Sequence, residues 1–150
     1  MNTTTQAEAI ELIRSTIQGI TPSGDYADAP WREAGDDVAV ADLRSFALLA
    51  TPATFQRDPE RGLFGCGERY TFALAVVTGY GSLDDRSAAR VLARDGLDLR
   101  RALEYLVGTD PAGGFVCVEY EGFEAETGPV EGKARTGRHK FVIDYMEDTT

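Results

Sequence analysis

One stretch of the chain constrains the fold more than any other, because it alternates like a β-strand and is apolar on both faces. It covers residues 70–80. A strand with two apolar faces normally lies at the centre of its sheet. We therefore expect a sheet built around this segment. The alternating residues are Tyr70, Phe72, Leu74 and Val76 on one face and Ala73, Ala75 and Val77 on the other.

The N-terminal segment carries the signals of a helix. Thr5 and Glu8 have the spacing of a capping box, in which the threonine hydroxyl accepts the amide of the later residue. Gly19 and Pro22 stand where such a helix should end. The pattern predicts a helix over residues 6–18. Its apolar face consists of Ile10, Ile13 and Ile17, followed by Ile20.

A second helical pattern follows the central strand, with Ser82 or Asp84 as its cap. Asp95 and Gly96 interrupt this pattern, because glycine inside a helix costs about 1 kcal/mol relative to alanine. We therefore expect two short helices or one kinked helix. The apolar stripe consists of Ala88, Val91, Leu92, Leu99, Ala102, Leu103 and Leu106.

The remaining strand patterns complete an α+β fold. Residues 38–43 favour a short strand, and residues 45–55 favour a longer one whose end lies at a sheet edge or beyond the main ladder, because it contains Pro52. Residues 115–120 and 141–146 predict a last pair. The fold class predicted is an N-terminal helix and a mostly antiparallel sheet of four or five strands, packed against two helical regions and joined by long hairpin loops. A chain of 150 residues is expected to form one domain.

Two loops contain residues for which the sequence predicts a specific contact. Residues 21–37 are rich in Pro, Gly and Asp, and Trp31 is expected to pin this loop onto the core. Residues 56–68 read as a long hairpin connection with a glycine-rich tip. We predict that this tip contacts another protein, rather than serving only local packing. The residues predicted for that contact are Arg57, Arg61, Leu63 and Phe64.

A charge-split hairpin is predicted near the C-terminus. One arm is acidic and the other basic, with a turn near residues 128–132, so that opposite charges face each other across the hairpin. Such a hairpin would project from the body and contact a neighbour. An ordinary solvated loop is the alternative. The acidic arm holds Glu119, Glu121, Glu124 and Glu126, and the basic arm holds Lys133, Arg135, Arg138 and Lys140; the contact residues predicted are Glu124, Glu126, Lys133 and Arg135.

The net charge of −10 argues against tight DNA binding, which needs clustered Lys and Arg. The sequence shows neither a signal peptide nor an apolar run of about 20 residues, so we expect a cytoplasmic protein without membrane contact.

Candidate catalytic residues stand alone in the sequence. His139 would need a nucleophile that no motif identifies, and it is expected to be a partly exposed strand residue. Cys66 lies between glycines without a hydrolase signature, and Cys117 is expected to be a small buried apolar residue. No dinucleotide fingerprint, P-loop or metal-ligand spacing occurs. We therefore predict no enzyme activity, no cofactor and no metal.

The order of these elements resembles the tail-terminator, or tail-completion, proteins of long-tailed bacteriophages. The similarity covers nearly the whole chain: the helix with Ile10, Ile13 and Ile17, the strand pair of residues 46–55 and 70–78, the Arg/Leu-rich segment of residues 100–106, and the closing strand of residues 141–146. It is a similarity of size and element order, without a diagnostic motif.

The resemblance implies a homo-oligomeric ring, commonly a hexamer, that caps the tail tube and stops its polymerisation. Its partners would be the tail tube protein and a head-side connector protein, and DNA would pass through without specific binding. The protein would belong to the virion and assemble in the host cytoplasm. Two alternatives stay open: a head-to-tail connector component, either adaptor or stopper, and a small-molecule-binding α+β domain. A hydrolase using Cys66 or His139 is a third.

Overall fold

A computed structural model describes residues 5–23, 31–33, 44–56, 67–80, 85–109, 114–126 and 135–148. Two helices and six strands occupy these ranges. In chain order they are α1 (Gln6–Gln18), β1 (Arg32–Glu33), β2 (Ser45–Ala50), β3 (Thr54–Gln56), β4 (Gly67–Tyr80), α2 (Asp85–Tyr105), β5 (Phe115–Glu126) and β6 (Arg135–Asp148).

The strands form one sheet in the order β1-β2-β4-β6-β5, and β3 also pairs with β4. All described pairs are antiparallel except β1 with β2. The predicted α+β class, the N-terminal helix and the central position of β4 are confirmed. The predicted strand over residues 45–55 is divided by a break that contains Pro52, which gives β2 and β3. The predicted strand over residues 38–43 lies outside the described residues.

Helix α1 forms where its capping signal placed it. The Thr5 hydroxyl accepts the Glu8 amide at 3.2 Å, and the helix ends at Gly19, whose amide bonds back to the last turn. The side-chain amide of Gln6 donates to the carbonyl of Thr51 at 2.7 Å, while its oxygen accepts the amide of Ala53 at 3.1 Å. The start of α1 is thereby tied to the break between β2 and β3.

Helix α2 is continuous, so the predicted alternative of two short helices divided at Asp95 and Gly96 is wrong, while that of one kinked helix stays a prediction. Asp95 accepts two hydrogen bonds from the Arg44 guanidinium, at 2.8 and 3.1 Å, and both side chains are 1% exposed. A Cβ atom at Gly96 would lie 2.9 Å from Cε1 of His139. The two residues that look like a helix break are therefore the points where α2 meets the sheet.

The core lies between one face of the sheet and the two helices. Trp31 is 2% exposed, and its ring packs edge-on against Phe46 with the Arg44 guanidinium over it, which confirms that Trp31 anchors its segment to the core. Burying these side chains removes apolar surface from water, which is the main stabilising contribution. Other large buried residues include Ile13 and Ile17 of α1, Phe72, Leu74 and Val76 of β4, Leu99 and Leu103 of α2, Phe115 of β5, and Phe141, Ile143 and Tyr145 of β6.

Removing one member of the buried ion pair should be costly. Asp95→Ala leaves the Arg44 guanidinium inside the protein without this carboxylate, and a loss of about 3–5 kcal/mol in the free energy of unfolding is expected. Urea denaturation would measure it. Glu104→Ala is the control, because it removes the partner of the exposed Arg100 and should change stability little.

A paired apolar replacement separates the charge effect from lost packing. Arg44→Met combined with Asp95→Leu should recover most of the stability that Asp95→Ala loses, because no buried charge remains. If Asp95→Ala were as stable as Glu104→Ala, the ion pair would not hold α2 on the sheet.

Candidate functional site

The two faces of the sheet differ in what covers them. The helices pack on the face that carries Phe72, Leu74 and Val76. On the opposite face, within the described part of the chain, Ala73 is exposed and Leu49 is 53% exposed. The strand registers place an apolar patch there, which we call the open face: Ala47, Leu49, Ala73, Ala75, Val77 and Val142. The expectation that β4 is apolar on both faces holds, but only one of them is buried.

Charged side chains border the open face on β5 and β6. Lys140 pairs with Ala75 in the β4–β6 register, and its ammonium lies 2.6 Å from a carboxylate oxygen of Glu124. The hydrogen bond from Lys140 holds the pKa of Glu124 below its usual range. A hollow of about 300 Å³ lies between this charged border and the apolar patch, with Leu49, Ala75, Glu121 and Lys140 among its lining residues. The border can therefore offer both charges to a partner.

The predicted charge-split hairpin corresponds to the pair of β5 and β6, whose described arms do not project, while its predicted turn lies outside the described residues. Residues 135–148 of β6 pair with β4 along their whole length, which makes the hairpin part of the main sheet. Glu124 lies opposite Arg138, as the charge pattern predicted, whereas Glu126 lies opposite Thr136. Arg135 pairs through its backbone with Tyr80 of β4.

The other predicted contact residues cannot be placed on this surface. Arg57, Arg61, Leu63, Phe64 and Lys133 lie outside the described residues, and so does Cys66.

Helix α2 presents a basic outer surface, of which the sequence patterns singled out only the Arg/Leu-rich segment of residues 100–106. Its two buried carboxylates turn inward: Asp95 binds Arg44, and Asp98 accepts the hydroxyl and the amide of Ser23 at 2.6 and 3.0 Å. The helical spacing of its arginines was the available signal. We call the exposed set Arg90, Arg94, Arg100 and Arg101 the arginine face.

A second concave site lies between α2 and the β5–β6 pair. The cavity measures about 360 Å³ and has Leu92, Leu97, Tyr120, Phe123 and His139 among its lining residues. Its lining is apolar apart from a few side-chain groups, as is typical of small-molecule pockets.

His139 is 1% exposed, so the prediction of a partly exposed residue is wrong. It pairs with Val76 in the β4–β6 register and therefore points to the helix side of the sheet. The Tyr120 hydroxyl lies 3.3 Å from its Nδ1 atom, and Phe123 packs 4.7 Å from its ring. Nε2 has no hydrogen-bond partner among the described residues. Burial lowers the pKa of His139 to about 4, so the ring is neutral at pH 7.

The described groups around His139 give little support for a role in nucleophilic catalysis. The polar group within hydrogen-bond distance is a tyrosine hydroxyl, and burial raises its pKa. Cys117 is exposed, contrary to prediction, and pairs with Asp144 on the other side of the sheet. Within the ranges given above, no group of three His, Cys, Asp or Glu side chains could hold a metal ion. Neither described helix has the length and apolar character needed to cross a membrane.

Comparison with models of known protein families finds no match for this chain. A comparison with curated proteins also finds none. What the protein does must therefore be inferred from its own residues.

The buried histidine should make stability depend on pH. The unfolded chain binds a proton near pH 6.5, while folded His139 binds one only near pH 4. Between these values the unfolded state holds more protons, so stability falls as the pH falls, by up to about 3 kcal/mol from this group. Above pH 6.5 the group is neutral in both states and contributes no slope.

Because His139 is the only histidine, its ring proton signals in NMR report its pKa directly. Urea denaturation across the same pH range should show a weaker decline for His139→Gln than for the natural chain. A measured pKa near 6.5 for the folded protein would contradict the buried, neutral state.

Proposed function

We propose that this protein is a structural subunit of a phage tail terminator, which assembles as a ring on the end of the tail tube and stops its polymerisation. The observation that carries the proposal is the open face. Leu49, Ala73 and their neighbours form an apolar patch without a covering layer among the described residues. Exposed apolar patches with a polar border are typical of protein–protein contacts.

The shape of the subunit suits a ring. One side of the sheet is covered by helices, while no described element covers the other side or pairs with the outer edges of β1 and β5. Most soluble oligomers have closed symmetry, and a ring of identical subunits needs two different surfaces that fit each other. A hexamer is the commonest ring in the family that the sequence resembles, and we propose that stoichiometry here.

The charge of the chain fits a passage for DNA. With a net charge of −10, a ring of these subunits would repel the phosphate backbone and let the duplex pass without specific binding. We propose the tail tube protein and a head-side connector protein as its neighbours. The protein would then act in the neck of the virion, after assembly in the host cytoplasm.

A structural role also agrees with the chemistry of the described side chains. The buried carboxylates Asp95 and Asp98 bind Arg44 and Ser23, and these contacts join parts of the fold. His139 is neutral and, among the described residues, has Tyr120 alone within hydrogen-bond distance. We therefore propose that the protein is not an enzyme and needs neither cofactor nor metal. A head-to-tail adaptor or stopper is the nearest alternative role within the virion.

The cavity beside His139 favours a second candidate, a small-molecule-binding domain. It combines an apolar lining with a buried imidazole whose Nε2 has no described partner. Such a domain would bind its ligand as a monomer, whereas a terminator must act on tubes. Isothermal titration with small aromatic compounds tests the small-molecule-binding role, and the tube assay below tests the terminator role.

The tube assay uses the tail tube protein of the same phage. Tubes polymerised with the purified protein should be short and carry ring-shaped particles at one end in negative-stain images, because a terminator blocks further addition. Leu49→Glu should weaken this capping by placing a charge on the open face. Phe55→Glu is the matched control, since Phe55 is 54% exposed but lies beside Tyr70 on the other face.

Tubes of unchanged length without bound particles would overturn the proposed function. If Leu49→Glu capped tubes as well as the natural chain does, the open face would not be the surface that contacts the tube. Light scattering should show in addition that the natural chain forms larger particles as its concentration rises.

A further inference from the structure

One outer surface of the subunit is basic, and the other carries three glutamates beside two cations, Lys140 and Arg138. The arginine face of α2 lies on the helix side of the molecule, and three exposed glutamates of β5 border the open face. We call Glu119, Glu121 and Glu124 the acidic margin. We propose that the arginine face of one copy docks on the open face and acidic margin of the next copy. This inference rests on the proposed ring and names the contact that closes it.

The arginine face is basic because two of the acidic residues of α2 are buried inside the protein. Four exposed arginines share the described outer surface of α2 with a single carboxylate, Glu104, which pairs with Arg100 at 2.8 Å. Asp95 and Asp98 are 1% and 9% exposed and point into the protein. Among its described outer side chains, four arginines against one carboxylate leave a net positive charge, on a chain whose net charge is −10.

The acidic margin is only partly neutralised within the subunit. Lys140 binds Glu124, while Glu119 lies opposite the uncharged Val142, and Glu121 lines the hollow beside Leu49. Two of its three carboxylates therefore have no ion-pair partner among the described residues. An arginine from outside would find carboxylates here that match its bidentate geometry.

Apolar side chains occur on both surfaces. Tyr105, at the end of α2, is 71% exposed, and Ala93 is exposed between the arginines. The open face offers Leu49 and Ala75 next to the acidic margin. Interfaces combine apolar and aromatic side chains with charged ones, and the two surfaces together supply these kinds of side chain.

A second copy is the occupant that these features favour, because both halves of the contact occur on every subunit and on opposite sides of it. A contact between two different patches repeats from copy to copy, and it closes into a ring when the rotation fits. The complementary charges would also fix the order of the copies and speed their encounter.

Charge reversal tests the contact. Arg94→Glu with Arg101→Glu makes both surfaces acidic, while Glu119→Arg with Glu121→Arg makes both basic. Each double variant alone should repel its own copies, with a loss of at least about tenfold in association measured by sedimentation velocity. Association of the natural chain should weaken as salt rises, because the contact is ionic at its rim.

Mixing the two variants is the decisive measurement. The acidic helix of one variant then meets the basic margin of the other, and the basic helix meets the acidic margin, so an equimolar mixture should form rings of alternating copies. Glu8→Arg with Glu11→Arg, on α1, gives the same charge change as the margin variant and should assemble like the natural chain. Circular dichroism confirms that each variant is folded.

Three results would overturn the inference: a reversed variant that assembles normally, a mixture that stays dissociated, or a natural chain that is monomeric at every concentration. If the arginine face bound DNA or a different acidic protein instead, Arg94→Glu with Arg101→Glu would lose that binding. Mixing it with the second double variant would then not restore the binding. A monomeric chain that still caps tubes would refute this contact and leave the proposed function standing.

Discussion

The antiparallel pairing of β4 with β6 is the constraint on which the rest of the structure depends. Fourteen residue pairs run from Gly67 with Asp148 to Tyr80 with Arg135. Partners in such a ladder share a face, so Val76 carries His139 into the core and Ala75 carries Lys140 outward. A slip of one residue would bury Arg138 and Lys140 and expose Phe141, which makes the register highly specific.

The buried ion pair between Arg44 and Asp95 links that sheet to the outer surface. It fixes the rotation of α2 about its own axis, because Asp95 must point to the sheet. Residues away from the sheet-facing side of the helix therefore face outward, and these include Arg94 and Arg101. An interaction inside the protein thus determines where positive charge appears outside it.

Local patterns predicted the parts of the fold that depend on local physics. The capping threonine and the period-two alternation gave α1, the central β4 and the α+β class. The failures depend on pairing partners. A bulge between Phe115 and Cys117 turns Cys117 to the other side of the sheet, and His139 is buried because of its β4 partner. The Gly96 position was misread because its close approach to the His139 ring is a tertiary contact.

Dependence on tertiary contacts also explains why the sequence predicted only part of the proposed contact surfaces. The opposition of acidic and basic strands placed Glu124 near Arg138, which is a contact within one chain. The arginine face arises only after Asp95 and Asp98 are buried, since the linear sequence of α2 mixes both charges evenly. Folding buries these two carboxylates and leaves the arginines of the same helix on the outside. In the contact that we propose, a net-acidic subunit would attract its own copies through one helix while its net charge would still repel DNA.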